Sequence, residues 1–211
     1  MTASLALIEH PATGIAFVDQ PEELTTFLQP SCPAAIWRRQ STPDFQSWVD
    51  TLDPMRLPQG RVVLRPSAVR SSVAEMCAEA HTPQGPQRDH LIDDVATLAH
   101  VFAEVMDAPY LRVRLQAVTS NACRKFHMDA ITARLVCTYR GAGTQYGISV
   151  DGDDPQRVFS VPTGAPILLR GSQWPETPMS GLLHRSPPIE GTGATRLVLV
   201  LDPVFELEDA T

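Results

Sequence analysis

The sequence lacks the features of a disulfide-bonded, secreted or membrane-spanning protein. Its four cysteines, Cys32, Cys77, Cys123 and Cys137, include no C-x-x-C pair. No apolar run approaches the ~20 residues that would cross a bilayer. The N-terminus shows no charged leader followed by an apolar run and a cleavage site. We therefore predict a cytoplasmic protein with free thiols and no membrane partner.

An excess of positive charge is also missing. The chain has 17 basic and 24 acidic residues, a net charge of -7 and a pI near 5.3, so a general nucleic-acid-binding surface is disfavoured. With 211 residues, of which 43% are hydrophobic, a single domain over 1–211 can bury about 70% of its unfolded surface. Such a chain does not need a metal or a disulfide merely to fold.

Hydrophobic periodicity divides the chain into two parts. Residues 1–109 read as helix-rich, with two interspersed strands at 34–38 and 61–65, and with helices predicted at 22–28, 43–52, 67–80 and 91–105. The last of these carries an apolar stripe that should pack against a sheet. From 110 to 203 the pattern becomes strand-like, with seven or so short runs at 110–118, 123–129, 131–139, 158–161, 165–170, 181–184 and 195–202. This predicts an α+β fold in which N-terminal helices pack on a jelly-roll-like sandwich or barrel.

A His-x-Asp pair, His127 and Asp129, is the chemically most specific feature. In an extended segment, residues two apart share one face and lie about 6.6 Å apart, so both side chains can reach one metal ion. Together with His184 they give two histidines and one carboxylate, the ligand set of non-haem Fe(II) oxygenases. The alternative is that His127 is a core histidine with satisfied hydrogen bonds and that Asp129 caps the turn before Ile131. A His-x-Asp pair considered alone favours this alternative.

Arg196 begins the last apolar strand. If its phase follows Val198 and Val200, its guanidinium points into the barrel, where an unpaired charge is costly. A dicarboxylate would satisfy it through a bidentate contact. The alternative is an arginine that faces solvent or pairs with an acidic neighbour.

The order of these segments resembles the double-stranded β-helix (jelly roll, cupin-like) core of the 2-oxoglutarate/Fe(II)-dependent dioxygenases. The resemblance covers about residues 110–203 and implies a proximal His-x-Asp, a strand ending in tyrosine, a turn that contains proline and glycine, a distal histidine and a later arginine. The matching positions are His127, Asp129, Tyr139, Pro162, Gly164, His184 and Arg196. It implies Fe(II) on His127, Asp129 and His184, and 2-oxoglutarate held by Arg196 and Tyr139.

The whole chain also resembles an uncharacterised bacterial domain-of-unknown-function family, whose members carry similar segments. Here these segments lie at 123–129, 138–144 and 182–189. Members of the family are often encoded beside zinc-responsive genes, which makes zinc an alternative metal.

Three hypotheses follow from the sequence. The first is an Fe(II)/2-oxoglutarate-dependent oxygenase that hydroxylates an unknown small-molecule or protein substrate. The second is a non-catalytic, metal-binding, cupin-like protein linked to zinc homeostasis and using the same three ligands. The third is a binding domain with this fold and a vacant site.

Overall fold

The computed structural model describes residues 14–150, 152–175 and 180–207. In these ranges the chain has an α+β fold of ten strands, three α-helices and three 3-10 helices. The strands are β1 Ala16–Val18, β2 Ala34–Trp37, β3 Gly60–Leu64, β4 Tyr110–Val118, β5 Ala133–Arg140, β6 Gln145–Ile148, β7 Phe159–Ser160, β8 Pro166–Arg170, β9 Leu182–Arg185 and β10 Arg196–Val204. The helices are α1 Pro43–Thr51, α2 Val69–Glu79 and α3 Pro86–Met106, with 3-10 helices at Pro21–Leu28, Pro54–Arg56 and Pro66–Ala68.

Helices α1 and α3 begin at residues that favour a helix start. The hydroxyl oxygen of Thr42 accepts a hydrogen bond from the Phe45 amide at the start of α1, as an N-cap residue does. Helix α3 starts at Pro86, earlier than the apolar stripe alone predicts, because proline suits the first helical position. It ends at Asp107 in a left-handed conformation. No described helix is long and apolar enough to cross a membrane.

Seven strands form one large sheet and three form a small one. The large sheet has the order β1-β2-β8-β5-β10-β4-β3, and the small sheet has the order β7-β6-β9. Only the β1–β2 pair is parallel. Three strands from the N-terminal half, β1, β2 and β3, therefore extend the large sheet at its two edges, in addition to the helices that cover it.

The large sheet is apolar on both faces, as the composition of β10 predicts. Leu197, Leu199 and Leu201 belong to the core under the helices. Val198 and Val200 belong to a second core, which includes Tyr146 and Leu182 from the small sheet. The face of the large sheet that carries Val198 and Val200 is called the inner face below, because the small sheet packs against it.

Two irregularities matter for the site. The segment 123–129 forms an isolated bridge between His127 and His184 in place of the predicted regular strand. The β5–β10 pairing has a bulge, because Leu197 lies opposite Arg140 whereas the next residue, Val198, lies opposite Thr138. Tyr139 is the extra residue in β5.

Candidate metal centre

The backbones of His127 and His184 hold the two imidazoles side by side. Each residue donates its amide hydrogen to the carbonyl oxygen of the other, at 3.0 Å in both directions. Such a mutual pair fixes the two Cα atoms about 5.5 Å apart. The ring centroids lie 4.5 Å apart, so one ion can contact both rings.

Asp129 completes the group. Its Oδ2 lies 3.1 Å from His184 Nε2, and its Oδ1 lies 3.5 Å from His127 Nε2. One ligand atom from each of the three residues lies within 4.8 Å of the others. The structure thus brings the three predicted ligands into one cluster.

The tautomer of His127 is set by its backbone neighbour. Its Nδ1 lies 2.9 Å from the carbonyl oxygen of Lys125, which can only accept a hydrogen bond. Nδ1 therefore carries a proton, and Nε2 is the nitrogen directed toward Asp129. The Asp129 carboxylate raises the pKa of His127 despite partial burial of the ring, so the ion-free cluster favours a proton on Nε2.

Arg134 fixes the orientation of the Asp129 carboxylate. Its Nη1 lies 2.7 Å from Asp129 Oδ1, while its Nε and Nη2 donate to the two carboxylate oxygens of Asp202 at 2.6 and 2.9 Å. Burial works to raise the pKa of Asp129, but the two histidines and Arg134 outweigh it and hold the pKa well below its usual range. Asp129 is therefore an ionised carboxylate.

One oxygen of this carboxylate is left for a metal. Oδ2 of Asp129 is buried, and no described residue donates a well-aligned hydrogen bond to it, although His184 Nε2 is close. An unsatisfied buried carboxylate oxygen is costly, and a cation would remove that cost. Two imidazole nitrogens and one carboxylate oxygen suit non-haem Fe(II) and also suit zinc, so these residues fit a divalent metal.

The backbone of Asp129 is held by the segment that follows β8. Ser172 donates its amide hydrogen to the Asp129 carbonyl oxygen at 2.9 Å. A Cβ on Gly171 would lie 2.0 Å from the Ile131 carbonyl oxygen and 2.7 Å from that of Asp129. Only glycine allows this close approach, so Gly171 helps to place the carboxylate.

Arg196 lies on the inner face and is 2% exposed. Its Nε donates to the Ala142 carbonyl oxygen at 2.6 Å, and its Nη2 donates to the Thr138 hydroxyl at 3.2 Å. Both acceptors are neutral, and no described carboxylate forms an ion pair with it. Burial without a counterion lowers the pKa of Arg196 to about 10. A carboxylate arriving here would gain a charge-assisted contact.

Tyr139 is not brought to this face. Its hydroxyl donates to Asp94 Oδ2 on α3 at 2.6 Å, and its ring belongs to the core under the helices. The reason is strand parity, because Thr138 faces Arg196 and the next residue points to the opposite side. Tyr146 of the small sheet lies in the core that covers the inner face, and it is opposite His184 in the β6–β9 pair.

Sequence reasoning missed three further groups beside the cluster: Arg134, Asp202 and Tyr146. Arg134 and Asp202 are 68 residues apart, and only the strand register shows that they meet. Tyr146 lies in β6, a strand that the sequence pattern did not indicate. A charged residue of each sign at inward phases of two apolar strands was the available signal for Arg134 and Asp202.

The chain matches the model of a protein family. A family model described as "Protein of unknown function (DUF1826)" matches residues 18–202. The chain belongs to this DUF1826 family. No curated protein matches it in sequence.

Several solved structures of oxygenases are similar to this chain. The dioxygenase for auxin oxidation 1 from Arabidopsis thaliana, in its complex with 2-oxoglutarate, superposes with a TM-score of 0.53 at 9% identity, covering 92% of this chain and 94% of that one. The rice dioxygenase for auxin oxidation gives 0.49 at 13% identity, with 90% and 83% covered. A 2OG-Fe(II) oxygenase family protein from Burkholderia pseudomallei gives 0.47 at 13% identity, with 92% and 97% covered. The Arabidopsis likeness shows a shared fold.

Proposed function

We propose that this DUF1826 protein is a non-haem Fe(II)/2-oxoglutarate-dependent oxygenase that hydroxylates a substrate. His127, Asp129 and His184 hold the metal, and Arg196 holds the distal carboxylate of 2-oxoglutarate. The observation that carries the proposal is the convergence of the three ligand atoms within 4.8 Å, around a buried carboxylate oxygen that receives no well-aligned hydrogen bond from the described residues.

The fold supports the same conclusion. The strand order supports a double-stranded β-helix: β4, β10, β5 and β8 are adjacent in one sheet and β7, β6 and β9 in the other. The bridge at His127 adds a fourth segment at the β9 edge of the small sheet. The Arabidopsis enzyme of similar fold is a 2-oxoglutarate complex. In this arrangement both histidines lie on the small sheet and Arg196 lies on the large one.

The metal cluster and Arg196 are contacted by two residues on the same face of β5. On β5, Arg134 contacts Asp129 and Thr138 contacts Arg196. These positions are four residues apart, or about 13 Å along the strand. The side chains between them are apolar, with Val136 on β5 and Val198 and Val200 on β10. The apolar walls favour a ligand whose charges lie at its two ends.

When bound, Fe(II) and 2-oxoglutarate would supply dioxygen activation, with 2-oxoglutarate converted to succinate as the substrate is hydroxylated. The protein's own residues position this chemistry. Arg134 leaves one oxygen of Asp129 for the metal, the Lys125 carbonyl orients His127, and the valines keep water from the space between metal and Arg196.

An anaerobic titration of the full chain with Fe(II) and 2-oxoglutarate tests the proposal. A weak visible metal-to-ligand band should appear only when both are present. Arg196→Leu should keep Fe(II) binding but weaken 2-oxoglutarate binding by at least about tenfold, a loss of roughly 1.4 kcal/mol. Arg196→Lys should recover part of it, because an ammonium keeps the charge without the planar fork.

The result also separates the zinc hypothesis from the oxygenase. Stoichiometric metal binding with no 2-oxoglutarate binding by calorimetry would favour a non-catalytic metal-binding protein. Equal 2-oxoglutarate binding by the parent and Arg196→Leu would remove Arg196 from the site.

A further inference from the structure

Arg114 on β4 lies on the same face of the large sheet as the metal cluster. In the strand register it sits between Val200 on β10 and Arg61 on β3. Residues directly opposite each other in antiparallel strands point to the same side. Because Val200 belongs to the inner core, the side chains of Arg114 and Arg61 are also directed to the inner face.

The same register places Arg114 beside the residues that hold Asp129. Val136, Val200 and Arg114 form one row across β5, β10 and β4. Arg134 lies two residues before Val136 and shares its face. Two strand spacings separate β5 from β4, about 10 Å, so a molecule of modest size can contact the cluster and Arg114 together.

Arg114 makes no ion pair within the part of the chain that the structure describes. Among the same residues it donates no hydrogen bond, and its side chain is half-buried. Burial lowers the pKa of Arg114. The positive charges of Arg134 and Arg61 lower this pKa as well, and their effect exceeds the opposite effect of Asp202 and Asp129. The local carboxylates are already engaged, since Arg134 binds both of them. Positive charge therefore remains uncompensated at this edge of the site.

Arg114 is distinct from the position assigned to 2-oxoglutarate. Val200, its partner on β10, is four residues from Arg196, about 13 Å along the strand. A ligand held at Arg196 therefore lies toward the other end of β10. The two guanidiniums therefore belong to two separate positions on the inner face.

We propose that Arg114, assisted by Arg61, binds a carboxylate group of the substrate and so makes this protein selective for small carboxylic acids. The substrate role rests on the proposed oxygenase function. A carboxylate fits better than a dianionic phosphate, because one half-buried guanidinium lacks a partner and Arg61 is exposed. A guanidinium also matches the planar carboxylate with two parallel hydrogen bonds.

Carboxylate binding can be tested in the full chain without added metal. The Nε–Hε resonance of Arg114, assigned by its loss in Arg114→Lys, is followed by NMR during titration with sodium benzoate or with uncharged benzamide at constant ionic strength. Benzoate should shift the resonance saturably and benzamide should not. Arg114→Gln should weaken benzoate binding by at least about tenfold, and Arg61→Gln should weaken it less, because Arg61 is exposed.

Arg70→Gln is the matched control, because Arg70 pairs with Asp93 on the exposed surface of the helices. It should bind benzoate as the parent does. Benzoate binding no tighter than that of benzamide, or unchanged in Arg114→Gln, would overturn the proposal. So would loss of benzoate binding in Arg196→Leu alone, because the anion would then occupy the other position.

Failure of the oxygenase proposal would look different. Arg114→Gln should retain stoichiometric Fe(II) binding and 2-oxoglutarate binding, since Arg114 contacts neither in the proposed arrangement. If the parent binds benzoate through Arg114 but does not bind 2-oxoglutarate, the carboxylate site stands and the oxygenase assignment falls.

Discussion

Replacing Tyr139 by Phe should lower stability without affecting the metal centre. The Tyr139 hydroxyl and both terminal nitrogens of Arg39 converge on the Asp94 carboxylate at 2.6, 2.6 and 2.7 Å. Tyr139 is fully buried in the core under the helices, and burial together with the Asp94 charge raises the pKa of Tyr139 well above its usual value. The hydroxyl therefore stays protonated and donates a hydrogen bond to an ionised acceptor.

The magnitude follows from the charge of that acceptor. A hydrogen bond to a charged group contributes about 1.5–3 kcal/mol. Because Arg39 still provides two donors to Asp94 after the substitution, the carboxylate is not stranded and the loss should stay in that range. For a chain of this size, the change corresponds to a fall in Tm of about 3–12 °C.

Urea unfolding followed by circular dichroism measures the effect, and an unchanged m-value shows that the transition is comparable. Tyr110→Phe is the matched control, because its hydroxyl accepts from Arg65 at 3.0 Å on the surface, and it should change stability by no more than about 0.5 kcal/mol. If Tyr139→Phe is as stable as the parent yet loses 2-oxoglutarate affinity, the placement of Tyr139 under the helices is refuted.

Three further predictions concern the cluster. Asp129→Ala should abolish stoichiometric Fe(II) binding by calorimetry while the chain keeps a cooperative unfolding transition, because the core does not depend on the site; binding equal to the parent's would end the assignment. Arg134→Gln should weaken Co(II) binding, read from its visible spectrum, by about 10–100-fold, because the ligand stays but its orientation is lost; Arg70→Gln should not. Metal and proton compete for His127 Nε2, so metal affinity should fall by about tenfold per pH unit below the raised pKa of His127; a flat profile from pH 8 to 5.5 would contradict the competition.

The sequence indicated His127, Asp129 and Arg196 because the strand phase of each follows from its near neighbours in the chain. In an extended segment, the spacing of His127 and Asp129 determines their common face, and Arg196 shares its phase with Val198 and Val200. Those relations require only the two-residue period of a strand. The position of His184 beside His127 is a long-range pairing, which the order of the segments suggested through the resemblance.

The sequence could not predict which face of β5 carries Tyr139, because β5 is apolar on both faces. Leu135 and Cys137 face the helices, and Val136 and Thr138 face inward, so hydrophobicity gives no preference for either phase. The sequence also could not predict that Arg114 lies beside the cluster, because its neighbours come from the distant strands β3 and β10. Register between distant strands is set by the packed sheet, and no local pattern encodes it.

The bulge in β5 determines whether one or two guanidiniums lie at the Arg196 end of the inner face. Regular alternation after Thr138 would turn Arg140 inward beside Arg196. The extra residue instead directs Arg140 to the helices, where its Nη1 donates to the Leu52 carbonyl oxygen at 2.6 Å. Arg196 therefore has no second guanidinium from Arg140 beside it, and in the proposed site one guanidinium matches the single charge of one carboxylate. Deleting the bulge should turn Arg140 toward Arg196 and shift binding at the proposed site toward dianions such as phosphate esters.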